Sequence, residues 1–174
     1  DHFYSPSLKN RAYTVNVESK RVGTFGFTGE STSQTFDFML VPDVGDIAPD
    51  VELKNLTTGR SIQLHSLRGK VVFLEFWATW CGPCVEELPN VKACYDKYHA
   101  RGFEVIGISL DHSRQTLESF VQQRQLPWGQ IYSDPDPEKP SLPPIQALQY
   151  GVSGIPCAIL VDRNGKVVSI QAAF

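Results

Sequence analysis

The run Val71-Val72-Phe73-Leu74-Glu75-Phe76-Trp77 leads through Ala78-Thr79-Trp80 into Cys81-Gly82-Pro83-Cys84. Apart from Glu75, the first seven residues are apolar on both alternating faces, the pattern of a central strand covered by helices on each side. Beyond the second cysteine, Cys84, Leu88, Val91, Tyr95 and Tyr98 recur at spacings of four and three and predict a helix with one apolar stripe, ending near Gly102. Pro89 is expected to kink it early. Two thiols therefore stand at a strand-to-helix junction, where the first backbone N–H groups lack intrahelical partners and carry partial positive charge. A free thiol titrates at about 8.5 and one in a Cys-x-x-Cys setting falls to roughly 7, leaving a usable thiolate at neutral pH.

Each residue of the motif has a physical role. Cys81 is the nucleophile. Cys84 lies about one helical turn on, on the same side, so its sulfur reaches a mixed disulfide formed at Cys81 and resolves it. Pro83 has no N–H to lose in the first turn, and Gly82 leaves the approach to Cys81 uncrowded. The redox unit is the Cys81–Cys84 pair itself, and no metal or organic cofactor is called for. A zinc ribbon would need a second close pair, whereas Cys94 and Cys157 stand far apart and no His-x-x-x-His run occurs.

A chain of 174 residues, 41% hydrophobic and 20% charged, supports one sizeable core and an extension rather than two full domains. The net charge of −3, without a Lys/Arg cluster, gives no footprint for nucleic acid. No apolar run approaches the length that spans a bilayer, so any leader or membrane tether of the parent protein is expected to lie outside this chain.

Residues 1–44, rich in Ser, Thr and Gly, carry alternating stretches at Tyr13–Val17 and Thr35–Val41 and read as an accessory β-rich extension; residues 45–174 read as the main domain. Val51–Leu53 and Ser61–Leu64 flank a turn and predict a hairpin. Phe103–Ser109 predicts the next strand, Thr116–Val121 a helix, and the proline-rich 134–144 stretch an exposed loop. Arg163-Asn164-Gly165, between Ala158–Asp162 and Lys166–Ile170, predicts a second hairpin. The alternation is βαβ.

Several separated motifs now resemble one family: Gly45-Asp46-Ile47-Ala48-Pro49-Asp50, the Phe76–Cys84 stretch, Glu86-Glu87-Leu88-Pro89 and Tyr150-Gly151-Val152-Ser153-Gly154-Ile155-Pro156. From about Asp46 to Ile170 the chain resembles the thioredoxin superfamily, and within it the TlpA/ResA-like redoxins. The resemblance implies an α/β fold, a central mixed β-sheet flanked by helices, with Pro156 in cis and facing the thiols. Such a turn leaves the Ile155 backbone free to pair with substrate as an added strand. Glu75 matches the buried acid of ordinary thioredoxins, where burial raises the pKa and lets it exchange a proton with Cys84. Glu87 matches an acidic position near the thiols of ResA-like proteins, and Glu75 is favoured over it. Trp77 and Trp80 are expected to pack around the thiols, with Trp80 touching substrate.

Two features depart from the family pattern. Cys157 stands where threonine is common and is read as a buried thiol. The further helix that usually follows the last hairpin is missing before Phe174, so either the chain is truncated there or that sheet face is expected to be covered by residues 1–44 or by another protomer. Cys94 is read as a small core residue, the four histidines are assigned no chemistry, and Asn55-Leu56-Thr57 matches a glycosylation acceptor.

The leading function is thiol-disulfide oxidoreductase. Gly-Pro between the cysteines, as in thioredoxin at about −270 mV, points to a reductant. Its partners would be protein disulfides and an upstream thiol donor. The resemblance implies an extracytoplasmic, periplasmic setting. The alternatives are a peroxiredoxin-type peroxidase, which wants Thr-x-x-Cys whereas Thr79 is two residues before Cys81, and a non-catalytic binding module.

Overall fold

The Val71–Trp77 run is the middle strand of a five-stranded sheet. The computed structural model describes residues 13–18, 33–38, 41–50, 52–54, 56, 59, 61–134 and 144–172, in two units, Asp1–Leu40 and Val41–Phe174. In chain order the elements are β1 (Tyr13–Glu18), β2 (Ser33–Phe38), β3 (Glu52–Lys54), β4 (Ser61–Gln63), β5 (Val71–Trp77), α1 (Gly82–Tyr98), β6 (Phe103–Ser109), α2 (Arg114–Arg124), β7 (Gly129–Ile131), α3 (Ile145–Gln149), β8 (Cys157–Val161) and β9 (Val167–Ala172). The main sheet has the order β7-β6-β5-β8-β9. β5 pairs parallel with β6 and β6 with β7, while β8 runs antiparallel to both β5 and β9. The first unit carries the antiparallel pair β1 and β2, from Tyr13↔Phe38 to Glu18↔Ser33, and β3 pairs antiparallel with β4 in the second.

Strand alternation explains why β5 is apolar on both faces apart from Glu75. Val72, Leu74 and Phe76 enter one core with Ile106, Ile108, Ile159, Val161, Ala147 and Tyr150, the side that α3 covers. Phe73 and Trp77 enter the other with Leu88 and Val91 of α1 and Leu117 of α2, joined by Val105 and Trp128. Leu74, Phe76 and Trp77 are fully buried, and each such side chain stabilises the fold by roughly 1.5–3 kcal/mol. Burial on both faces is what a strand between two helical layers requires.

The α1 stripe holds for Cys84, Leu88 and Val91, which are buried, and passes through half-buried Tyr95 and Tyr98. Pro89 lies within α1, which continues unbroken past it to Tyr98. A short 3-10 turn, His99–Arg101, closes the helix on Gly102, whose φ of 88° is the left-handed geometry a helix stop uses. Cys94 corrects the sequence reading: it is exposed. At 100° per residue it lies about 80° from the stripe centre, toward solvent.

The predicted hairpin before β5, the strand at Phe103–Ser109, the helix around Thr116–Val121 and the hairpin turning at Arg163–Gly165 are all present. Residues 45–48 bond to that last hairpin, through Gly45 N to Val167 O (2.8 Å) and Ala48 N to Gly165 O (2.9 Å). Most of the 134–144 stretch, Asn55, and Met39 and Leu40 of the strand expected at Thr35–Val41 lie outside the described residues. β7 and α3 were not anticipated.

Candidate active site

The site forms where β5 ends and α1 begins. Cys81 is the N-cap of α1, in extended geometry (φ −84°, ψ 97°), and its Sγ accepts a hydrogen bond from the Cys84 backbone N–H at 3.3 Å. Gly82 and Pro83 open the helix, so the first turn loses no donor at the proline. Cys81 and Cys84 are joined in a disulfide, with Cα atoms 5.2 Å apart. Cys81 keeps 6% of its surface accessible and Cys84 1%, so attack from outside reaches the first sulfur more readily. When the bond opens, charge on Cys81 Sγ meets the Cys84 N–H and the unpaired amides of the first turn.

The segment between β5 and Cys81 is anchored by Asp111. This buried carboxylate accepts from Thr79 N (3.1 Å), Thr79 Oγ1 (2.6 Å) and Ser109 Oγ (2.7 Å). Three donors to one carboxylate fix the loop that aims Cys81. Sequence reasoning missed this network, because Thr79 and Asp111 are 32 positions apart and no local pattern joins them.

Glu75 sits on β5 between Phe73 and Trp77, and alternation puts it on the face covered by α1. It is buried, and its Oε2 has no hydrogen-bond partner among the described residues. Burial, reinforced by the nearby Glu87 carboxylate, pushes its pKa up to about 7. Glu87 is exposed on α1 and accepts from Asn90 Nδ2 at 3.2 Å. Only Glu75 is shielded from water; Glu87 acts on it through charge.

The two tryptophans part ways. Trp77 is fully buried in the core that holds both thiols and donates from Nε1 to Gln130 Oε1 at 3.1 Å. Trp80, by contrast, is 60% exposed. The Ile155–Pro156 peptide is cis, and Ile155 packs against the core containing Cys81 and Cys84. Cys157 is buried in the opposite core, across from Phe76, and burial pushes its thiol pKa up. His65 pairs with Asp50 at 2.5 Å and His99 Nδ1 lies 3.0 Å from the Phe103 carbonyl. Among the described residues there is no cluster of three or more potential metal ligands.

Residues 44–170 match the model of the AhpC/TSA family. The thiol-disulfide oxidoreductase ResA of Geobacillus thermodenitrificans is 36% identical over 128 residues, covering 73% of this chain and 68% of that protein. The chain belongs to the ResA- and DsbE-related thiol-disulfide oxidoreductases of the thioredoxin fold. Among solved structures, this oxidoreductase is similar to the Chlorobium tepidum protein described as a thiol:disulfide interchange protein DsbE, with 36% identity and a TM-score of 0.66 over 76% of this chain and 87% of that one. A thiol-disulfide oxidoreductase from Bacteroides fragilis gives 27% identity and a TM-score of 0.62 over 74% of this chain and 92% of that one. The enzyme's redox unit is the Cys81–Cys84 pair. No described helix of this oxidoreductase is long and apolar enough to cross a membrane.

Proposed function

We propose that the enzyme reduces protein disulfides. The observation that carries this reading is Cys81 at the N-cap of α1 with the Cys84 N–H on its sulfur, which favours a thiolate at the attacking position. In the dithiol form, Cys81 S⁻ attacks one sulfur of the substrate disulfide, forming a mixed disulfide and releasing the other substrate sulfur as a thiolate. Cys84 then gives its proton to the Glu75 carboxylate and attacks Cys81 Sγ. The Cys81–Cys84 bond forms, the bond to substrate breaks, and the second substrate sulfur leaves and is protonated. Two electrons pass from enzyme to substrate, and an upstream dithiol donor returns them.

Trp80, Gly82 and Pro83 form the exposed rim around Cys81 and are assigned to substrate contact. Ile155 and cis-Pro156, just before β8, are assigned to backbone pairing with an extended substrate segment. Glu75 is assigned the proton of Cys84, with Glu87 tuning it. The parent protein is assigned an extracytoplasmic site, with residues 1–44 as an accessory extension.

The AhpC/TSA match favours peroxide reduction as a second reading. It is the weaker one, because the Thr79 hydroxyl is committed to Asp111 at 2.6 Å. Insulin reduction by the dithiol enzyme, with peroxide turnover measured alongside, tests both. Reduction lost in Cys81→Ser supports the disulfide reading; peroxide turnover exceeding insulin reduction contradicts it.

A further inference from the structure

Glu75, Gly107 and Gln130 occupy one row across three strands: Glu75 is the register partner of Gly107, and Gly107 of Gln130. A side chain at Gly107 would separate the outer two. A Cβ there would lie 2.1 Å from Gln130 Oε1 and 2.9 Å from Nε2, so the Gln130 amide occupies the space above the glycine, toward β5. Adjacent strands are about 4.8 Å apart, which brings an amide lying over the middle strand within one water molecule of a carboxyl on the next.

The amide orientation is chemically determined. The Trp77 indole Nε1 is a donor only, so the amide atom 3.1 Å from it is the oxygen, and the NH₂ group is left facing elsewhere. Gln130 is 1% exposed and its Nε2 has no partner among the described residues; Glu75 is 5% exposed and its Oε2 has none either. An unpartnered buried donor and an unpartnered buried acceptor thus share a face, with only glycine between them. Buried polar atoms are almost always satisfied, and ordered water does so where two or more such groups converge.

We propose that Gln130 is a positioning residue for the resolving step: its side-chain NH₂, oriented by the Trp77 indole, holds a water that hydrogen-bonds the Glu75 carboxylate and stabilises its charged form. This rests on the proton role of Glu75 given above. The Gln130–water–Glu75 line supplies hydrogen bonding to a group that burial otherwise deprives of solvent. Among the described residues, the charges and dipoles facing Glu75 are few. Glu87 on α1 raises its pKa, β6 and β8 present Gly107 and Ala158 at its register positions, and Cys81 and Cys84 lie on the same side. The Gln130 amide is the counterweight to the Glu87 charge.

The test is a carboxyl-carbon NMR titration of Glu75 in the reduced enzyme, with Gln130→Met, which keeps the chain length, as the variant. Loss of the donor moves the Glu75 midpoint upward by roughly one pH unit and shifts the acidic limb of the resolution rate, where the carboxylate base is lost to protonation, with it. A merely structural role would lower stability without moving either midpoint. In the wild type, the Gln130 side-chain NH₂ resonances are expected to follow the Glu75 titration and to lose that pH dependence in Glu75→Gln, a readout independent of how well the methionine variant folds. A wild-type midpoint near 7 that stays put in Gln130→Met, or NH₂ resonances indifferent to pH, overturns the Gln130 proposal and leaves Glu75 standing. A wild-type midpoint in the ordinary carboxylate range overturns both.

Discussion

Replacing Glu75 with glutamine changes stability in a way that depends on pH. In the folded enzyme the carboxyl is buried and its pKa is raised from 4.5 to about 7. Below the unfolded value both states hold the proton and no penalty exists. As pH climbs from about 4.5 toward 7 the unfolded chain releases the proton while the folded one retains it, so stability is lost; above about 7 the loss is complete. About 2.5 units at about 1.4 kcal/mol each make this roughly 3 kcal/mol at pH 8.5. Glu75→Gln removes the ionisation, so the variant gains that amount over the wild type at pH 8.5 relative to pH 4. The new amide adds an offset that does not vary with pH. For a chain of this size, 1 kcal/mol corresponds to about 2–4 °C in Tm, so the gap between variant and wild type should widen by roughly 6–12 °C across that range. Thermal unfolding of the oxidised forms, followed by circular dichroism at both pH values, reads it. A gap that is the same at pH 4 and pH 8.5 refutes a raised Glu75 pKa, and the proton role with it.

Cys84→Ser should accumulate mixed disulfides with protein substrates, visible on non-reducing gels, whereas Cys81→Ser should form none. Gly107→Ala should destabilise by about 1–3 kcal/mol in urea unfolding, since the new methyl lies 2.1 Å from the Gln130 oxygen inside a filled core. Asp111→Ala leaves three donors at Thr79 and Ser109 without their acceptor and should cost about 2–4 kcal/mol in the same assay, with a slower attack by Cys81 as its loop loosens. Trp80→Ala, at a 60% exposed position, should change stability by less than about 0.5 kcal/mol while raising KM for protein disulfides.

How far the sequence alone reached depends on whether a residue's role is local. Val71–Trp77 was readable as a central strand because two helical layers demand apolar residues on both faces, Glu75 being the one exception, and the helix start at Cys81 because its proline and glycine stand where a first turn accepts them. The raised pKa of Glu75 followed from one carboxylate in such a strand. Cys94 was misplaced because it adjoins Tyr95 in sequence while facing away from the stripe in space. β7 is three residues long with a buried glutamine at its centre, too short and too polar for any periodicity to mark. The Glu75–Gly107–Gln130 row was invisible for the same reason: its members come from three strands, and only the sheet register aligns them.

The central claim is a thiolate at the helix start, and alkylation of the reduced enzyme across pH 5 to 10, with mass spectrometry resolving each cysteine, tests it most directly. Cys81 should react with a midpoint of roughly 7, well below the 8.5 or so of a free thiol, and Cys84 should react far more slowly throughout. Both cysteines titrating at or above about 8.5 would contradict the account.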